Sequence, residues 1–157
     1  MTRRAQATAA RDAKSLLLQC LLSFQQPARA ARFFAEDGVF EIPYLASLGI
    51  SPRYEGRQAI EGFFALILQL YPDWQYHAEE YWVLIDTPDQ VFAEYEVHPT
   101  AAATGRRINH LFMGRCVVRD GQIVLLREAL NSVAAAQALL PGGPAELAPP
   151  GAVVNSH

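Results

Sequence analysis

Residues 107–130 read Arg107-Ile108-Asn109-His110-Leu111-Phe112-Met113-Gly114-Arg115-Cys116-Val117-Val118-Arg119-Asp120-Gly121-Gln122-Ile123-Val124-Leu125-Leu126-Arg127-Glu128-Ala129-Leu130. Two apolar runs flank the tight-turn signal Arg119-Asp120-Gly121, which predicts a β-hairpin with strands at 107–118 and 123–130. Upstream, 74–85 and 91–98 read as two further strands, joined near Asp86–Asp89, where Pro88 marks a connection. The first third of the chain is helical instead. Residues 12–25 carry one apolar stripe, and Pro27 opens a short second helix bearing Ala31, Phe33 and Phe34 that Gly38 should end. Val39–Ile42 is a short strand closed by Pro43, and 44–56 is a loop. Residues 57–70 form a third helix on the period of Ile60, Phe63, Phe64, Ile67 and Leu68, stopped by Pro72. Helices first and an antiparallel meander second define an α+β domain with helices packed on one face of the sheet.

Composition agrees with one such domain. The chain has 157 residues, of which 51% are hydrophobic and 18% charged, a balance typical of a folded globular unit. The domain should span 1–140, with 141–157 a Pro/Gly/Ala-rich tail. A net charge of −3 from 13 basic and 16 acidic residues lacks the basic footprint of a nucleic-acid binder. Cys20 and Cys116 are far apart and outside any CxxC spacing, so they read as reduced core residues rather than a zinc site or disulfide. Arg3, Arg4, Arg11 and Lys14 before an apolar run imitate a secretory signal. Asp12, Gln19 and the helical spacing of Leu17, Cys20, Leu21 and Phe24 favour an amphipathic first helix. The expectation is a cytoplasmic protein without a membrane span.

The sequence has no phosphate loop, GxSxG or HExxH, and its four histidines lack ligand spacing. Candidate chemistry therefore rests on polar residues that strand alternation sets among apolar ones. Glu128 shares a face with Leu126 and Leu130; if that face is buried, its carboxyl should titrate near neutrality and serve as a general acid or base. A structural ion pair or a solvated strand end is the competing reading. Asn109 shares a face with Leu111 and Met113. That face is assigned to the pocket, with Asn109 orienting a ligand or merely capping a strand start. His110 and Phe112 are then assigned to an outer face that a second subunit covers. Glu94, Glu96 and His98 form a polar stripe that is either a solvated face or a polar pocket wall. Trp74 and Tyr76 form an aromatic cluster with His77, a plausible proton carrier by histidine's ordinary pKa. Glu41 and Tyr44 flank Pro43 at the rim, meeting a ligand or tying down the loop.

The order Phe34-Ala35-Glu36-Asp37-Gly38-Val39-Phe40-Glu41-x-Pro43, Tyr54-Glu55-Gly56-Arg57-x-Ala59-Ile60, then a meander, resembles the nuclear transport factor 2-like superfamily, in its SnoaL-like polyketide-cyclase branch. The resemblance covers roughly 12–140. It implies a cone-shaped, curved mixed sheet wrapped around N-terminal helices, a cystatin-like α+β barrel with a central pocket. The superfamily hosts isomerases, cyclases, hydrolases, dehydratases and non-enzymes, so fold alone assigns no reaction. Tyr71-Pro72-Asp73-Trp74-Gln75-Tyr76, Ile108-Asn109-His110-Leu111 and Arg127-Glu128-Ala129-Leu130-Asn131 resemble the phenazine-biosynthesis A/B proteins. That resemblance implies acid–base catalysis by a histidine and a glutamate, which fall on His77 and Glu128. The ketosteroid-isomerase branch has an aspartate base where this chain has Ile42, and an acidic donor where it has Asn109; that mechanism is not implied.

The sequence thus predicts a cofactor-free acid–base enzyme on a small apolar carbonyl or cyclic compound. Glu128 and His77 would be catalytic. Asn109, Glu41 and Tyr44 would orient the ligand, and Trp74, Phe92, Leu111, Met113 and Leu130 would shape the pocket, with Glu94 on its wall. A homodimer through the outer sheet face is expected. The alternative is a non-catalytic ligand-binding or assembly module of the same fold.

Overall fold

The computed structural model describes residues 11–147. Helix α1 (Ala13–Leu22) is capped by Asp12, whose carboxylate accepts a hydrogen bond from the Ser15 backbone N–H at 2.9 Å. Its apolar stripe buries Leu16, Leu17, Cys20 and Leu21. Helix α2 (Pro27–Ala31) begins with proline, whose missing N–H costs nothing in a first turn. Helix α3 (Arg57–Leu70) spans the predicted residues and buries Ile60, Phe63, Phe64 and Ile67. Among the described residues no helix is long and apolar enough to cross a membrane. Cys20 and Cys116 are free and buried.

Among the described residues six strands form one mixed sheet: β1 (Phe34–Glu41), β2 (Arg53–Glu55), β3 (Tyr81–Thr87), β4 (Gln90–Val97), β5 (His110–Arg119) and β6 (Gln122–Ala129). Their order is β2-β1-β6-β5-β4-β3, with β1 parallel to β6 and every other pair antiparallel. The sheet stays open, with β2 and β3 at its edges. Helix α1 packs against β3 to β6 and α3 against β1 and β2, so one face is covered. On β4 the covered face carries Val91, Ala93, Tyr95 and Val97; on β5 it carries His110, Phe112, Gly114 and Cys116.

The β5–β6 hairpin turns through Asp120 and Gly121, both at positive φ (52° and 72°), the backbone a two-residue hairpin loop requires. Arg119 pairs with Gln122 and Val118 with Ile123, but Val117 pairs with Leu125. Val124 is thus an extra residue on β6, a β-bulge. An unbroken ladder from this turn would set Met113 opposite Glu128. The bulge instead sets Gly114 there, and a one-residue slip exchanges the two faces of a strand.

Three local readings are corrected. The first strand begins at Phe34, not Val39, because Phe34 pairs with Ile123 some 90 positions away, a contact invisible to local pattern. Gly38 does not end a helix; a Cβ there would lie 2.8 Å from the Ile123 carbonyl, so it admits the β6 backbone. Residues 74–77 lie outside any strand, and Ala78–Glu80 is a 3-10 turn. The chain also adds helix α4 (Ser132–Leu139) after β6, capped by Asn131, which accepts from the Ala134 N–H at 3.1 Å. Asn131→Ala should cost about 1 kcal/mol, read as faster amide exchange over residues 132–139 and a lower Tm.

Candidate ligand site

Between the helices and the covered sheet face lies an apolar cavity of about 40 Å³. That is room for a few waters, below the several hundred Å³ usual for drug-sized ligands. Its walls are aromatic and aliphatic: Phe24 from the turn after α1, Phe40 and Ile42 from β1 and the residue following it, Phe63 and Ile67 from α3, and Phe112 from β5. Leu45, Ile50, Ala135 and Leu139 also line it, and α4 packs against the 3-10 segment Pro43–Leu48. Among the described residues the lining contains no lysine or arginine; its ionisable members other than tyrosine are Glu128 and His110.

Glu128 is 4% exposed, and no described cation pairs with it. Its carboxylate accepts a 2.6 Å hydrogen bond from the Tyr95 hydroxyl. Burial pushes the carboxyl up to about 7, against the opposing pull of that hydrogen bond. The contact exists because Gly114, opposite Glu128 on β5, leaves a gap that the Tyr95 ring crosses: a Cβ on Gly114 would lie 2.1 Å from the Tyr95 oxygen. Thus β4 supplies the donor, β5 the gap and β6 the acid.

His110 is 2% exposed, and burial presses its imidazole down to about 4. It packs against Trp74 and Tyr71, with ring centroids 5.9 and 6.4 Å away.

The sequence candidates divide cleanly. Glu128, Trp74 and Leu130 come together in the lining, as does Ile42. His77 does not; it is exposed, on the side of its segment away from buried Trp74 and Tyr76. Leu111 and Met113 are 41% and 43% exposed on the outer face, while His110 and Phe112, expected outside, line the cavity. The bulge at Val124 is the reason. Asn109 accompanies the outer face, its amide oxygen 2.9 Å from His98 Nδ1, and His98 Nε2 is 2.8 Å from Glu80. Phe92 and Glu94 alternate with buried Val91, Ala93 and Tyr95 and so face outward, settling the Glu94–Glu96–His98 stripe as an outer one. Glu41 points away from Phe40 and is ion-paired with Arg53 and Arg127; burial raises its pKa, but those two guanidiniums outweigh it and hold the group low. Tyr44 is 58% exposed and absent from the lining. Tyr95, Tyr71 and Tyr76 were missed as site residues. The alternation of Tyr95 with Ala93 and Val97 was the available signal for the first.

This fold is that of the nuclear transport factor 2-like proteins. The chain belongs to the SnoaL-like domain family, whose sequence model matches residues 21–126, ending two residues before Glu128. No curated protein sequence matches the chain. Solved structures do. A phenazine biosynthesis-related protein from Pseudomonas aeruginosa superposes with a TM-score of 0.68 at 20% identity, covering 83% of this chain and 86% of that one. An NTF2-like protein of unknown function from Burkholderia pseudomallei gives 0.69 at 12% identity, covering 80% and 95%. TerC, co-crystallised with polyporic acid, gives 0.67 at 16% identity, covering 80% and 95%. At these identities the likeness is one of fold.

Proposed function

We propose that this domain is an acid–base enzyme acting on a small, neutral carbonyl or cyclic compound, with Glu128 as the group that moves the proton. One observation carries the reading: a buried carboxyl without a cationic partner among the described residues, held by Tyr95 and brought by burial to about 7. Such a group is poised to take and return a proton at neutral pH. As a carboxylate it would remove a proton from the carbon next to a carbonyl, leaving an enol or enolate; returned to a second position, the proton gives isomerisation, and capture of the enolate by a second carbonyl gives ring closure or condensation. A planar ring suits the aromatic walls, and the polyporic acid complex of TerC is a precedent for such a ligand on this fold. Entry of a ring requires displacement of the apolar cap of Leu45, Ile50, Ala135 and Leu139. The test is turnover of a panel of ketones, epoxides and quinones, with Glu128→Gln as control; a variant with full turnover removes Glu128 from the mechanism.

A second reading, a non-catalytic assembly module, is favoured by the small cavity and by large apolar side chains exposed among the polar ones of the outer face. Trp82, Leu111 and Met113 are each more than 40% exposed and Ile85 is 70% exposed, and the ladder aligns Trp82 with Glu94 and Met113 across three strands. In either reading we assign this face to a second copy of the chain. Light scattering after size exclusion should give a dimer at micromolar concentration, and Met113→Lys a folded monomer. A monomeric wild type counts against it.

A further inference from the structure

Among the described residues, three buried polar atoms in the cavity lining lack a well-formed hydrogen bond: the Tyr71 hydroxyl, Trp74 Nε1, which the Tyr76 hydroxyl approaches without closing one, and His110 Nδ1. The three residues are at most 4% exposed. Their rings form one cluster, with centroids 5.3 Å apart for Tyr71–Trp74, 5.9 Å for Trp74–His110 and 6.4 Å for Tyr71–His110. They come from two unrelated parts of the chain, the turn after α3 and the start of β5. Burial of one unsatisfied polar atom is costly and uncommon; three side by side, where phenylalanine would fill the same space, point to a partner that the described residues do not supply.

The chemistry of the atoms defines that partner. The indole N–H only donates, the phenol donates or accepts, and the imidazole does either according to tautomer. Among the described residues the lining offers no lysine or arginine to an anion, and an uncompensated charge is not brought into such surroundings. Burial keeps His110 neutral above about pH 4. The guest group is therefore an uncharged oxygen. The cluster is also set apart from the acid: His110 lies four residues along β5 from Gly114, the partner of Glu128, or about 13 Å, and Phe112 stands between.

We propose that Tyr71, Trp74 and His110 form an anchoring site for a neutral carbonyl or hydroxyl oxygen on a planar apolar ligand, with the indole N–H and phenol O–H donating to that oxygen. This deepens the reading above, resting on it for a small-molecule occupant and not for turnover at Glu128. The anchor would hold one end of the ligand while Glu128 meets a carbon at the other.

The test compares naphthalene, 2-acetylnaphthalene and 2-naphthoate binding to the full chain at pH 8, by calorimetry and by the indole N–H resonance of Trp74. The chain has two tryptophans, and Trp82→Phe on the outer face assigns the signal. The expected result is that 2-acetylnaphthalene binds at least ten-fold tighter than naphthalene and shifts the Trp74 indole proton, that 2-naphthoate binds more weakly, and that Tyr71→Phe reduces the ketone's advantage several-fold. The advantage is read from binding alone, with no turnover, which separates this site from the proton-transfer reading. Equal affinities for ketone and hydrocarbon, as buried waters on the three atoms would give, overturn the proposal. So does binding of none of the three, or a Tyr71→Phe protein that is merely more stable with its preference intact.

Discussion

Between pH 4.5 and 7 the wild-type protein should lose about 3 kcal/mol of stability relative to its Glu128→Gln variant. The folded-state pKa of Glu128 is raised by burial to about 7 from 4.5. Through that window the folded state holds a proton that the unfolded chain has released, so stability falls as pH rises. The contribution is complete below 4.5 and gone above 7; each pKa unit is worth about 1.4 kcal/mol. Glutamine keeps the shape and the acceptor for the Tyr95 hydroxyl but cannot ionise. It carries one more buried donor than the protonated acid, so the variant should be slightly less stable at pH 4.5 and clearly more stable at pH 8. Urea denaturation of both proteins across pH 4.5–8 checks this. Parallel curves would mean that Glu128 titrates as an ordinary carboxylate.

Gly114→Ala should be strongly destabilising. The new Cβ would stand 2.1 Å from the Tyr95 oxygen and 2.8 and 3.0 Å from two ring carbons, so the tyrosine must leave or the strands must part. Overpacking of this kind costs about 1–3 kcal/mol. Loss of the hydrogen bond to a buried carboxylate adds about 1.5–3 kcal/mol. The expected total is about 3 kcal/mol or more, with the Glu128 titration moved further upward because the one contact that lowers it is gone. Removing the Tyr95 hydroxyl relieves the closest clash, so Tyr95→Phe should recover part of the loss in the Gly114→Ala background while destabilising the wild type. That reversal in a double-mutant cycle is the signature of a gap kept for the tyrosine. Gly62 in α3 is the contrast. A Cβ there meets nothing within 4 Å, and Gly62→Ala should stabilise by about 0.5–1 kcal/mol.

Much of this was legible in the chain. The third helix was bounded to the residue because a strong 3.6-residue period ends at Tyr71-Pro72. The alternation along β4, β5 and the end of β6 was read correctly, including Glu128 on the face of Leu126. Alternation, however, says which residues share a face and not which face it is. That depends on register, and one extra residue at Val124 exchanged Asn109, Leu111 and Met113 for His110 and Phe112 as the cavity side of β5. Phe34 was read as helical because its partner Ile123 is remote. Helix α4 was missed although Asn131-Ser132, an alanine-rich run and Pro141 frame it; without an apolar stripe, only its caps could have signalled it. His77 looked apt beside the aromatic motif, yet the segment turns it outward. The unpaired Glu128 was legible only as a possibility, because isolation from cations is a property of the assembled lining.

The most direct test of the central claim is solvent-deuterium exchange at the carbon next to the carbonyl of 2-tetralone and related bicyclic ketones, followed by proton NMR as a function of pH. A buried proton carrier at Glu128 predicts exchange above the buffer rate, rising with a midpoint near pH 7 and abolished by Glu128→Gln. Exchange that survives the substitution, or a wild type that binds these ketones and leaves their protons in place, contradicts it.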